Sequence, residues 1–300
     1  MLQATILITT RNRLDDLRNA VRSALEQTAD AEVLVVDDAS TDGTAEAIGA
    51  EFPQVRMHRA QRQSGYIVQR NLGATLASAP IVVSLDDDAV FSSARTVSQT
   101  LEDISHPRVG AVAIPFVDVH HGNEVRQRAP DDERVWTTST YRGTAHALRR
   151  DLFLTLGGYR ESLVHQAEEQ DYTLRMLDAG MVTRLGRADA IHHLESPQRD
   201  LTGRYVRGAR NDLLHGWHNV PLPYLPVRLA KATLYWLWVA QRDRQWGAVV
   251  RGLGQGFAEG PRRLSDRRPV ARSTYRLDHR IRRQGPLPIE DVEAELAPRR

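Results

Sequence analysis

The chain has no cysteine. Disulfides, thiolate metal sites and cysteine nucleophiles are therefore excluded, and a reducing compartment is compatible with the composition. It also lacks a long hydrophobic run. The longest near the C-terminus, Ala232 to Ala240 (ATLYWLWVA), is too short to span a bilayer and is flanked by Lys231 and Gln241. The N-terminal stretch MLQATILITT has no basic region followed by a long apolar core, and it is not expected to be a signal peptide. Charge of one sign is not in excess either. The formal net charge is +2, and no nucleic-acid-binding motif appears, so no nucleic-acid partner is expected. The expected location is cytoplasmic, with peripheral contact at the inner membrane surface as one option. No oligomeric state can be read from the sequence.

Hydrophobic residues make up 41 % of the 300, enough for one large domain or a domain with an appendage. The first hundred residues alternate strand and helix signals. Glu32–Asp37 and Ile81–Leu85 read as buried strands, Thr5–Thr10 as a short β-branched strand and Val55–Arg59 as a weak one. Leu14–Thr28, Thr41–Phe52 and Val68–Ala77 have helical spacing between them. This order predicts an α/β fold, a mostly parallel sheet with helices on both faces. Right-handed crossovers then align the strand C-termini along one edge, where open α/β sheets bind ligands. Beyond residue 105 the pattern changes. Val109–Val119 and Glu124–Gln127 read as extended, Ala129–Ser139 as a mobile loop, and Leu148–Leu156 and Glu168–Ala179 as helices. Thr183–Leu185 and Ala188–His192 read as short strands, and Leu201–Trp217 and Pro226–Phe257 as helices.

The polar residues concentrate at that one edge. Thr9, Thr10, Arg11, Asn12 and Arg13 follow the first strand, Asp37 and Asp38 end the second, and Asp86, Asp87 and Asp88 end the fourth. Three adjacent carboxylates repel one another, and a cation is the simplest way to neutralise them. Oxygen ligation favours Mg²⁺ or Mn²⁺, which keep positions open for phosphate. A solvated acidic loop capping the next helix is the alternative. Asp38 has two readings, hydrogen bonding to a base or ribose and capping of the helix that starts near Ser40. Arg11, Arg13 and Arg70 are candidates for phosphate contacts.

Thr-Arg-Asn-Arg after the first strand, VVDDASTDGT after the second, RNLGATLASAPIVVSLDDDAVF and AEEQDYTLRMLDAG together resemble the family 2 glycosyltransferases of GT-A fold. The resemblance covers roughly residues 4 to 200. It implies a nucleoside-diphosphate-sugar donor, a divalent metal and inversion at the anomeric carbon, in cell-surface polysaccharide or glycoconjugate synthesis. By motif position, Thr9 and Asp38 would bind the nucleoside, Asp86 and Asp87 would contribute to the donor site, and Asp88 with Asp86 would hold Mn²⁺ or Mg²⁺. A histidine after the late strand, His192 or His193, would complete the metal site, and the sequence leaves open which one. The family's base is the second residue of a Glu-Asp pair six residues before an arginine. Here the pair is Glu168-Glu169 ahead of Arg175, so Glu169 would be the base. The departure motivates an alternative, a non-catalytic nucleotide-sugar or glycan-binding protein on the same fold. Trp136, Tyr141, His146 and Asp171 lie where an acceptor, a glycan or a lipid-linked sugar, would bind, and a core role is the alternative for Trp136, Tyr141 and His146.

The resemblance divides the chain into a catalytic domain, 1–200, with a donor half to about 105 and an acceptor half after it. A helical extension, 201–260, and an Arg/Pro-rich, poorly ordered tail, 261–300, would follow. The aromatic stripe Tyr224, Tyr235, Trp236, Trp238 and Trp246 reads first as packing of the extension. Its other reading is an interfacial surface near lipid-linked acceptors, helped by Arg228, Lys231 and the arginine-rich tail.

Overall fold

In the computed structural model, which describes residues 2–194 and 201–298, the first half alternates as the pattern predicts. The order is β1 (Ala4–Thr10), α1 (Leu14–Leu25), β2 (Ala31–Asp37), α2 (Thr44–Glu51), β3 (Arg56–Arg59), α3 (Tyr66–Leu76) and β4 (Ile81–Asp86). β1, β2 and β4 are aliphatic runs buried on both faces, as strands of a covered parallel sheet must be. α1 buries Leu17, Ala20, Val21 and Ala24 at helical spacing.

The chain continues with β5 (Ala89–Phe91), α4 (Thr96–Asp103), β6 (Val109–Ala113), β7 (Phe116–Asp118), β8 (Val125–Arg126), β9 (Trp136–Thr138), β10 (Ala145–Arg149), α5 (Arg150–Thr155), α6 (Glu168–Asp178), β11 (Val182–Leu185) and β12 (Ile191–His193). It ends with α7 (Leu201–Asn219), α8 (Tyr224–Asp243), α9 (Trp246–Arg262), α10 (Arg272–Gln284) and β13 (Leu287–Pro288). One sheet of nine strands runs β13-β9-β11-β6-β10-β4-β1-β2-β3. It is parallel from β3 to β4 and again between β6 and β11, while β10 is antiparallel to both of its neighbours. A small second sheet has the order β5-β12-β7-β8.

Four expectations need correction. The segment 129–139 is not all loop, because β9 pairs with β11 and β13 inside the main sheet. The helix expected from Leu148 starts at Arg150, because β10 fills the slot between β4 and β6. The single helix expected over 226–257 is broken where Arg244 turns left-handed, φ 56°. The arginine-rich tail is built into the fold. α10 buries Leu277 and Ile281, one turn apart, β13 extends the sheet edge, and Ile289, Val292 and Leu296 join the main core. Its arginines hide this spacing, although Arg272, Arg276, Arg282 and Arg283 of α10 are exposed between the buried positions. The boundary expected at residue 200 lies at the edge of the segment outside the described residues.

α9 lies unusually close to α7. Gly252, Gly256 and Gly260 recur every fourth residue, and a Cβ at Gly252 would stand 2.4 Å from the Val206 carbonyl oxygen. A Cβ at Gly260 would stand 2.1 Å from the Trp217 ring, so the glycines permit the approach that a side chain would block.

Candidate active site

β1 and β4 run parallel with Thr9 opposite Asp86, so the acidic run leaves the sheet beside the end of β1. Its three carboxylates go different ways. Asp87 turns inward and is nearly buried; Thr10 Oγ1 donates to its Oδ2 at 2.8 Å and Arg13 Nη1 to its Oδ1 at 3.0 Å. Burial, opposed by Arg13 and reinforced by Asp88, pushes Asp87 up to about 7. With both oxygens engaged inside, Asp87 clamps the end of β4 to β1 and the loop after it and is not free to contact a donor. Arg13 spans this clamp, since its Nη1 also donates to Asp88 Oδ2 at 2.9 Å.

The small sheet brings in the histidine. In β12, His193 is paired with Ala89 on one side and Asp118 on the other. His193 Nδ1 lies 2.8 Å from Asp118 Oδ1, and its Nε2 lies 3.4 Å from Asp88 Oδ1. Burial works against a charge on this ring, but the hydrogen bonds to Asp88 and Asp118 outweigh it and raise His193 to about 9. His192 is directed to the opposite face of the strand. Asp86, Asp88 and His193 each offer one ligand atom, all within 4.8 Å of one another. Two carboxylates and one imidazole fit Mn²⁺ or Mg²⁺, and a carboxylate behind the imidazole is the arrangement that orients a ligating histidine. An ion bound there would replace the proton on His193, because a ligating imidazole is neutral.

Asp38 is tied to the protein more firmly than either of its readings anticipates. Its oxygens accept from the backbone of Ser64 at 2.7 Å and Gly65 at 2.9 Å, and from Gln69 Nε2 at 2.7 Å. A carboxylate accepts about four hydrogen bonds, so room for about one more from a ribose or base remains. The neighbouring Asp37 is fully buried and holds the turn, accepting from the Ser40 backbone and hydroxyl. Thr9 is half-buried at the sheet edge and Arg11 is exposed beyond it.

Arg70, on α3, is buried and ties the acidic run to the turn at Gly143. Its Nη2 donates to Asp86 Oδ1 at 2.5 Å and to the Gly143 carbonyl at 2.9 Å. Glu169 is the second residue of α6, after Glu168 and Ala167, whose φ of 72° turns the chain sharply into the helix. A Cβ on Gly143 would lie 2.7 Å from Glu169 Oε1 and 2.8 Å from Arg70 Nη1, so carboxylate and guanidinium flank the same glycine. Burial raises Glu169, and Arg70 opposes the rise. Glu168 is fully buried; burial first and the Glu169 charge second push it well up. Gly143→Ala is expected to lower kcat by roughly 10- to 100-fold, because displacing catalytic groups by about an ångström costs that much. Its melting temperature should fall by a few degrees at most, because the φ of Gly143 is not positive and the added Cβ meets only the ends of two side chains. Wild-type turnover in this variant would separate Gly143 from the site.

The residues expected at an acceptor site do not gather there. His146 is fully buried, stacked on Tyr141 at 4.3 Å and bonded to the Tyr159 hydroxyl at 3.0 Å. Burial, then the Arg70 charge, drive it well below the usual histidine range, so it is a neutral core residue. Asp171 is fully buried and accepts from Arg160, Arg175 and Asn219. Those partners hold it at about 2 despite burial, and it ties α6 to α7. Trp136 lies in β9 opposite Pro288, four strands from β4 in the sheet order, with the Arg134 guanidinium 4.5 Å over its ring. Two residues escaped the sequence reading, Asp118 and Gly143. A carboxylate closing the extended run 109–119 was the available signal for Asp118, and none pointed to Gly143.

The chain belongs to glycosyl transferase family 2, whose family model matches residues 5–163. Its fold is the GT-A fold. It is 32 % identical over 93 residues to the succinoglycan biosynthesis protein ExoU of Rhizobium meliloti (strain 1021). That match spans 30 % of this chain and only 27 % of the relative. The fold is similar to that of mannosyltransferase PcManGT from Pyrobaculum calidifontis, solved with GDP-Man and Mn²⁺. That likeness has a TM-score of 0.59 and 22 % identity, over 84 % of this chain and 73 % of the other. S. aureus TarS 1-349 gives a TM-score of 0.60 at 16 % identity, over 95 % and 92 % of the two chains.

Proposed function

We propose that the chain transfers a sugar, with inversion, from a nucleoside-diphosphate sugar to a hydroxyl of a glycan or lipid-linked acceptor, in polysaccharide synthesis on the cytoplasmic side of a membrane. The observation that carries this reading is the Asp86, Asp88 and His193 cluster, joined by Arg70 to the neighbourhood of Glu169. Asp86, Asp88 and His193 would hold Mn²⁺ or Mg²⁺, which would supply positive charge against the donor diphosphate. Thr9 and Asp38 line the edge for the nucleoside, and Arg11 stands at its rim for phosphate. Glu169 takes the proton of the acceptor hydroxyl. The freed oxygen bonds to the anomeric carbon as the bond from that carbon to the diphosphate oxygen breaks, and the nucleoside diphosphate leaves with that electron pair. Arg70 holds Asp86 and flanks Glu169, so donor and base keep a fixed relation.

Relatives in fold were solved with GDP-Man and, for TarS 1-349, with UDP. The test is therefore donor hydrolysis and binding across GDP- and UDP-sugars, with and without Mn²⁺. Metal-dependent binding and slow hydrolysis of one donor are expected. No binding across the panel sinks the reading. Binding without turnover of any acceptor supports the non-catalytic alternative.

A further inference from the structure

α8 and α9 pack their inner faces on α7 through Ala232, Ala240, Val249 and Leu253. Their outer faces are apolar too. On α8, Val227, Lys231, Leu234 and Trp238 follow one another at intervals of three and four, a single stripe of the helix. The apolar members of the stripe are open to solvent, Leu234 at 67 % and Trp238 at 55 % of full exposure. Past the break at Arg244, α9 presents Trp246, Val250 and Phe257, also exposed and on one side of the helix. Single exposed hydrophobics are ordinary in proteins, whereas stripes on two successive helices mark an interaction surface.

The exposed charges around these stripes are of one sign. Between residues 222 and 264 the exposed charged residues are Lys231, Arg242, Arg244, Arg251 and Arg262. Asp243 and Glu259 are the only acidic residues in the span; they are half-buried and paired with Arg242 and Arg210. No helix among the described residues is long and apolar enough to cross a membrane.

We infer that the α8–α9 hairpin docks on an anionic lipid bilayer, with its stripes at the acyl boundary and its cations among the headgroups. Lys231 favours a bilayer over a protein partner. It sits inside the stripe, where a protein would have to bury and pair it, whereas at a bilayer the ammonium reaches the phosphates while Val227 and Leu234 insert. Trp238, Trp246 and Tyr235 are side chains suited to the membrane–water interface. A second copy of the chain would set these cations against their own kind, with no exposed acid in the span to pair them. That docking presents the site to a lipid-linked acceptor rests on the function proposed above; the docking itself does not.

The test is sedimentation of the full chain with vesicles of phosphatidylcholine alone and of phosphatidylcholine mixed with phosphatidylglycerol. Binding to the mixed vesicles is expected, weakening as salt rises. Leu234→Ser with Trp238→Ser should lose roughly 10-fold or more of that binding, with donor hydrolysis in vesicle-free solution unchanged. Donor hydrolysis reads the transferase function separately, so a failure of one leaves the other standing. Absence of wild-type binding to the mixed vesicles, or equal binding by the double variant, overturns the inference. A dimer at sedimentation equilibrium that the double variant dissociates also overturns it and assigns the face to a second copy.

Discussion

Asp88→Ala is expected to abolish Mn²⁺-dependent donor binding and to lower transfer by about 10³-fold or more, since a single electrostatic contact to developing charge is worth that much. Asp88 carries the largest share because two of its neighbours depend on it. It faces His193 Nε2 at 3.4 Å and receives Arg13 Nη1 at 2.9 Å. Without it, one carboxylate and one imidazole remain, too few to hold a hard cation against water. Asp118→Asn makes the graded comparison. It keeps all three candidate ligands but weakens the acceptor behind His193 Nδ1, so metal affinity should fall about 10- to 100-fold. Titration of Mn²⁺ by calorimetry, with and without a nucleoside diphosphate, reads both variants. Wild-type Mn²⁺ dependence in Asp88→Ala would remove the cluster from the reaction.

The cluster also shows what the sequence could and could not carry. The strands that carry the site were legible, because TILITT, EVLVVD and IVVSL are aliphatic and β-branched, and burial on both faces demands that. Their shared edge followed from the handedness of the crossovers alone. The choice between His192 and His193 was not legible, because it depends on which neighbours β12 takes. Pairing with β5 and β7 points His193 at Asp88 and Asp118, and a slip of one residue would have selected His192. The inward turn of Asp87 was hidden for a similar reason, since Thr10 and Arg13 reach it from more than seventy residues away. β9 and β13 are too short to show a period, and tertiary pairing alone makes them strands. The acceptor reading of His146 and Asp171 came from their place in the resemblance, which does not register that both side chains are fully buried. Their burial is set by Tyr159 and by the arginines of α6 and the loop before it.

Glu169→Gln is expected to lower kcat by about 10²- to 10⁴-fold while donor binding stays within a few-fold of wild type. The amide keeps the shape of the side chain beside Gly143 and loses the capacity to take a proton. The pH profile supplies an independent reading. Burial raises the Glu169 carboxyl above the usual glutamate range, with Arg70 restraining the rise. A base works only when deprotonated, so activity must fall as pH drops through that raised value. The acid limb of kcat/KM should therefore set in at a higher pH than an ordinary glutamate would give. Arg70→Met should move it higher still, because the positive charge that favours the carboxylate is gone. In Glu169→Gln the limb should vanish from the residual rate. A residual rate that keeps the wild-type acid limb would place the base elsewhere. Unchanged turnover would remove Glu169 from the reaction outright.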